Sequence, residues 1–205
     1  MQGQTGRTDR RVLYTKMFLK DSLLDLMKEK PIDRITPTEL CRKAEINRNT
    51  FYSHYNSTRE VLEEIETEFA TQIIDSLSNR FSAEHIDVSQ MLNEICRIIH
   101  ERQETCRILL SENGDAAFFE KVIMLGKQVI ISGWRKDGVT LSDDQMEMFF
   151  AFIVNGSIAL IRKWAANDMK NPPAEIAALI ERAVYGGINS MIGEPRQVRK
   201  ENPSK

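Results

Sequence analysis

Residues 48–54 read Arg-Asn-Thr-Phe-Tyr-Ser-His, and six of these seven side chains form hydrogen bonds while none is acidic. An Arg fork matches the O6 and N7 acceptors of guanine, and an Asn amide matches the donor–acceptor edge of adenine. Hydroxyls and an imidazole suit phosphate oxygens, which position a protein on DNA without reading sequence. A face chosen for solubility alone usually includes Glu or Asp, whereas a face aimed at phosphates excludes them by repulsion. The stretch is therefore read as DNA-directed, against the plainer alternative of a structural helical hairpin. Other candidate chemistry is thinner. Cys96 and His100 lie four apart, on one helix face, with His85 further off, but a structural metal site needs three or four ligands. No glycine-rich phosphate loop and no Ser/His/Asp arrangement of recognisable spacing occurs, which argues against an enzyme. Neither a metal nor any other cofactor is expected.

Such a face needs a small scaffold. Thr36-Pro37-Thr38-Glu39 has the marks of a helix start: a hydroxyl cap, Pro at the first position and Glu three residues after the cap. Asn47 offers a second cap a few residues past Ala44, so two short helices joined by a tight turn are expected over 36–55, the second covering 48–55. Leu40, Ala44, Ile46 and Phe51 are spaced to make their common core, and Cys41 reads as a small core residue. Ahead of them a helix is expected over 10–30, with Leu13, Met17, Leu24 and Met27 on one face and Pro31 breaking it. Ser57 with Glu60 caps a fourth helix carrying Val61, Leu62, Ile65, Phe69, Ile73 and Leu77.

The helical period continues to the end, with no alternating strand pattern. A link is expected at 81–87, then helices over 88–101 and 105–110, and one ending near residue 136 with Phe119, Val122, Ile123, Gly126, Val129, Ile130 and Gly133 in a stripe. Ser142 with Gln145 caps an apolar helix reaching residue 167. Pro172-Pro173 opens the last, with Ile176, Ile180, Val184, Ile188 and Met191 on one face. The fold class is all-α.

The run ITPTELCRKAEINRNTFYSHYNSTREVL, residues 35–62, resembles the signature of the TetR/AcrR family of transcriptional regulators, densely and without gaps. Leu110-Ser111-Glu112-Asn113-Gly114-Asp115 and Phe152-Ile153-Val154-Asn155-Gly156 leading to Trp164 resemble one subgroup more loosely. The resemblance implies a three-helix DNA-binding domain at residues 8–57, a larger helical bundle for ligand binding and dimerisation at 58–193, and a polar tail at 194–205. It makes 48–55 the recognition helix: Arg48, Asn49 and Thr50 at base edges, Tyr52, Ser53 and His54 toward the backbone, and Thr36, Thr38 and Thr58 against phosphates. Two positions depart from the family pattern. Glu45 stands where the turn usually has Gly, at a cost of roughly 1 kcal/mol if its conformation is left-handed. Thr58, followed by Arg59, replaces a common Lys at the start of the fourth helix.

Charge agrees with that division. Residues 1–62 carry 12 Lys/Arg against 8 Asp/Glu, residues 63–195 carry 12 against 21, and residues 196–205 carry 4 against 1. A basic end suits a phosphate partner and the acidic middle does not. Three cysteines with no CxxC pair fit a reducing compartment, and the polar N-terminus lacks a signal-peptide core, so a cytoplasmic location is expected. The apolar run 148–161 is read as too short to span a bilayer. The expected function is a sequence-specific regulator, a repressor released from double-stranded palindromic DNA by a small-molecule effector. The alternative is an activator or a partner-controlled regulator of the same fold. A homodimer through the helices at 142–167 and 173–191 is expected, with any effector cavity among residues 88–136 and the helix after Ser142.

Overall fold

The computed structural model describes residues 5–80, 88–115, 118–136 and 138–191; the expected link at 81–87 and the polar tail lie outside them. Among the described residues every regular element is helical. The order is α1 (Thr5–Met27), a 3₁₀ turn (Ile32–Arg34), α2 (Pro37–Lys43), α3 (Arg48–Tyr52), α4 (Thr58–Arg80), α5 (Val88–Glu101), α6 (Gln103–Leu109), α7 (Phe118–Lys136), α8 (Asp143–Ala166) and α9 (Pro173–Met191).

Local signals set most of these boundaries. The Thr36 hydroxyl accepts the Glu39 N–H at 3.2 Å, opening α2. The Asn47 side chain accepts the Asn49 N–H at 2.8 Å, opening α3. Ser142 and Gln145 form a reciprocal capping box at α8, with bonds of 3.3 and 3.1 Å. Between α2 and α3 the chain reverses through a Schellman turn: the Ile46 N–H reaches the Cys41 carbonyl, and Glu45 takes φ +56°. The left-handed residue is the Glu that replaces the usual Gly.

α1, α2 and α3 close around Leu19, Leu23, Met27, Leu40 and Phe51, all fully buried, with Ala44 and Ile46 packed against them. The face expected for α1 is corrected here. Leu13 and Met17 are 62% and 44% exposed, because the buried stripe runs through Leu19, Leu23, Leu26 and Met27 and its first turns extend beyond the small core. α4 carries its expected stripe: Val61 and Leu62 complete the small core, and Ile65, Phe69 and Ile73 continue into the larger one. In that larger bundle α5 lies along α9 and α8 packs on α6, α7 and α9. In α7, Val122, Ile123 and Ile130 face the core as expected, joined by Phe118 and Trp134; the side chains of Phe119, Gly126 and Val129 lie outside the described residues.

Two further details shape the bundle. A Cβ on Gly114 would stand 2.2 Å from the Leu109 carbonyl oxygen, so the turn between α6 and α7 lies flat against the end of α6. The Trp164 indole donates to the Asn171 carbonyl at 2.9 Å, tying the end of α8 to the start of α9. As a 24-residue helix of mean hydropathy 1.3 in its most apolar window, α8 is long and apolar enough to cross a bilayer, contrary to the shorter run read from sequence. Its Met146, Phe149, Phe150, Ile158, Ile161 and Trp164 are buried in the bundle, although only 33% of that window is buried.

The strain at Glu45 gives a direct test. Glu45→Gly relieves a positive φ that L side chains disfavour, so the protein should gain about 0.5–1 kcal/mol of stability. Urea unfolding with a lower midpoint for that variant would contradict the assignment.

Candidate DNA-binding site

Phe51 is the anchor of the candidate reading surface. It is fully buried, and its ring meets Tyr52 edge-on at 5.2 Å and Tyr55 at 6.0 Å, which fixes the roll of α3 about its own axis. With Phe51 inward, Arg48, Asn49, Thr50, Tyr52 and Ser53 are all exposed and His54 is half-buried. Thr36 and Thr38, at the start of α2, are exposed as well. α3 ends at Tyr52, three residues earlier than expected. The Ser53 hydroxyl donates to the Thr50 carbonyl at 2.7 Å and the His54 N–H to the Phe51 carbonyl at 2.9 Å, so the last turn tightens and His54 leaves the helix.

Thr58 is placed differently from its expected role. It is buried, and its hydroxyl donates to the Ile35 carbonyl at 3.1 Å. That bond joins the first residue of α4 to the strand-like segment before α2, and leaves no free hydroxyl for a phosphate. Beside it the Glu60 carboxylate accepts from the Asn56 N–H at 2.8 Å and from its side-chain amide at 2.9 Å, while the Ser57 hydroxyl accepts the Glu60 N–H at 3.2 Å. Those bonds to Asn56 hold the Glu60 carboxyl below its usual range. Arg59 donates to Asp33 at 2.7 Å and lies 4.0 Å from Asp115, so it links the 3₁₀ turn after α1 to the turn between α6 and α7.

The support behind the site was not read from the sequence. Lys16 on α1 pairs with Glu64 on α4 at 2.8 Å, and Lys20 pairs with Glu64 at 2.9 Å and with Glu68. The Lys16 ammonium also lies over the Tyr55 ring, 5.2 Å from its centre. A signal was present in the matching four-residue spacing of two lysines and two glutamates, but pairing them requires knowing that α1 and α4 touch. Burial, then the Glu64 carboxylate beside it, pushes the buried Tyr55 phenol well above its ordinary value. Burial opposes ionisation of Glu64, yet the ion pairs with Lys16 and Lys20 prevail and hold its carboxyl at about 2.

Elsewhere the titratable groups are structural. Burial pushes the Cys96 and Cys106 thiols up to about 12 and raises Cys41 too, so all three stay protonated and inert as thiolates. His100 stacks on Trp164 with centroids 5.9 Å apart. Among the described residues no cluster of His, Cys, Asp or Glu could hold a metal, and His85 lies outside them. Two open cavities stand out. One of about 570 Å³ lies between α1, α4 and α6. The other, about 740 Å³, lies between α5 and the start of α9.

Comparison with known proteins agrees with this architecture. Residues 86–186 match the TetR_C_8 family, a transcriptional regulator C-terminal region. The chain is 33% identical over 104 residues to YxbF of Bacillus subtilis strain 168, an uncharacterised HTH-type transcriptional regulator; the match covers 50% of this chain and 24% of that relative's length. Among solved structures, a TetR transcriptional regulator of Streptococcus agalactiae 2603V superposes with a TM-score of 0.67 at 19% identity, covering 88% of this chain and 99% of that one. The dihydroxyacetone kinase operon activator DhaS gives 0.60 at 18% identity, covering 86% and 97%. FadR of Thermus thermophilus, a TetR-family repressor in complex with lauroyl-CoA, gives 0.53 at 17%, covering 93% and 98%. The fold is that of the TetR-type regulators, all-α with a helix-turn-helix at its N-terminal end. Residues 86–186, just under half of the chain, thus match a transcriptional-regulator family, and the whole fold is similar to that of TetR-type regulators; the proteins it resembles are regulators rather than enzymes.

The ion-pair ladder predicts an acid limb to stability. A carboxyl held below its unfolded value contributes fully above about pH 4.5 and loses that contribution as pH falls toward its folded value of about 2. Glu64→Gln should therefore be less stable than the parent near neutral pH, with a flatter stability curve across that window. Parallel acid limbs in urea titrations of the two proteins would contradict this.

Proposed function

We propose that this protein is a dimeric, sequence-specific DNA-binding regulator that reads a palindromic operator through α3 and is controlled by a small molecule. The observation that carries the proposal is the exposed, carboxylate-free face of α3, held by the Asn47 cap and the buried Phe51. Arg48, Asn49 and Thr50 stand at its N-terminal end and take the base edges. Tyr52, Ser53 and His54, together with Thr36 and Thr38 on α2, grip phosphates. Thr58 contributes at most its backbone N–H at the start of α4, since its hydroxyl is committed to Ile35. The DNA-binding domain covers residues 8–57 and the regulatory and dimerisation domain 58–193, dividing where the chain restarts after Ser57, with residues 194–205 a polar tail. The protein works in the cytoplasm, where its operator is.

The second copy packs on α8 and α9. Met148 and Phe152 are 72% and 73% exposed, an unusual load of apolar surface for a monomer. On the same face a Cβ at Gly156 would meet nothing within 4 Å, and Gly186 on α9 is equally open. A two-fold dimer covers this surface and presents two identical α3 helices to two half-sites. Repression relieved by an effector is the reading adopted for control, in keeping with the ligand-bound repressor among the similar folds. The name of the operon activator of similar fold favours the second reading, activation from the same operator contacts.

Selection from randomised DNA tests the division of labour. Arg48→Ala and Asn49→Ala should relax preference at particular base pairs, each good bidentate contact giving about 1–3 kcal/mol of discrimination. His54→Ala and Tyr52→Phe should weaken operator and random DNA by similar factors. Unchanged base preferences in the first pair, or a new selected sequence for His54→Ala, would overturn the assignment. For the dimer, Gly156→Trp should shift sedimentation toward the monomer at micromolar concentration; unchanged association would place the interface elsewhere.

A further inference from the structure

The cavity between α1, α4 and α6 lies at the junction of the DNA-binding domain and the bundle, outside α3 and the proposed dimer face. Its volume of about 570 Å³ falls within the range of small-molecule sites, about 300–1,000 Å³. Its floor is apolar: Ile65 and Phe69 of α4 and, half-buried, Leu24 of α1. One wall is the part of α1 that the small core leaves uncovered, where Leu13, Tyr14 and Met17 are 62%, 59% and 44% exposed. Apolar side chains this exposed, contiguous with an apolar floor, mark a binding surface more often than a plain solvated face.

The charges around that surface are unevenly committed. Lys16 and Lys20 are engaged by Glu64 and Glu68. Asp21 is the third acidic group on the lining. Arg10, at the α1 end, has no ion pair among the described residues. Arg102, at the start of α6, spends one N–H on the Gln72 side chain at 3.1 Å and likewise has no ion pair among them. Arg102, bonded to Gln72 and so level with Leu24, stands at one end of an apolar trough whose lysines are already neutralised, with Arg10 about 20 Å along α1 at the other. That arrangement complements one anionic head on an apolar tail, and a guanidinium fork matches a carboxylate in particular.

We propose that this groove binds a small amphipathic carboxylate, its head on Arg102 and its alkyl tail on Leu24, Phe69, Ile65 and Met17. The bound molecule touches α1 and α4 on one side and α6 on the other. It therefore favours whichever setting of the DNA-binding domain against the bundle fits it best. The binding itself stands apart from the operator; its effect on regulation rests on the DNA-binding reading above.

Calorimetry of the full chain with hexanoate, octanoate and decanoate below their aggregation limits tests the site. Affinity should rise about four-fold for each methylene that becomes buried. Octylammonium, with the same tail length and opposite charge, should not compete. Arg102→Gln should weaken octanoate about ten-fold or more, and Met17→Glu should abolish the dependence on chain length, both variants keeping the parent's unfolding midpoint. In spectra of protein carrying ¹³C-labelled methionine methyls, Met17 should shift on titration while Met148, on the far helix α8, stays still. Absence of binding, equal competition by octylammonium, or full affinity in both variants would overturn the proposal. Both variants leave α3 intact, so they should still retard operator DNA. Loss of operator binding by the parent protein would count against the function proposed above and leave the carboxylate result standing.

Discussion

One helix belongs to both cores. Val61 and Leu62, at the start of α4, are fully buried with the helix-turn-helix, and Phe69 and Ile73, two and three turns later, are buried under the bundle. A helix of 23 residues does not bend freely over that distance. The orientation of α3 therefore depends on how α4 leaves the small core, and whatever shifts α4 within the bundle is delivered to α3 as a rigid-body change. Thr58, hydrogen-bonded to Ile35, and Arg59, paired with Asp33, fasten the beginning of the lever to the domain it carries.

The fastening of α1 to α4 follows from the same constraint. Lys16, Lys20, Glu64 and Glu68 form a ladder whose members range from 15% to 55% exposed, a regime in which a single pair is worth little. As a connected set it fixes relative position more than it adds stability. It sets the register of α1 along α4, and the apolar contacts beneath it supply the stabilisation. The consequence is visible at Leu13 and Met17. Once Lys16 and Lys20 face α4, the residues beside them on the helix surface are turned outward toward the groove.

Among the described residues three non-glycine positions take a left-handed backbone, Asp168 and Met169 after α8 and Glu45 between α2 and α3. The Schellman turn at Glu45 lets α2 and α3 cross closely around Leu40 and Phe51, and the left-handed backbone of a non-glycine residue is tolerated because the buried contacts on both sides outweigh it. The cap at Asn47 then begins α3 by accepting the Asn49 N–H, and the exposed side chains are presented from a fixed backbone.

The features legible in the sequence are those made within four or five residues of chain. The caps at Thr36, Asn47 and Ser142, the opening prolines at 37 and 173 and the carboxylate-free face of α3 each depend on neighbours along the backbone, which the sequence states outright. The resemblance to the TetR/AcrR family added the ordering of those elements into two domains. What tertiary structure alone decided involves partners far apart in sequence. Thr58 turns inward because the Ile35 carbonyl, 23 residues away, needs a donor, and Leu13 and Met17 stay outside because α1 meets α4 through its lysines. α3 stops at Tyr52 because the last turn tightens onto the Phe51 and Thr50 carbonyls, and that conformation depends on Tyr55 being drawn into the core three residues on. A helical period shows which residues share a face, but it does not show which neighbour that face will meet.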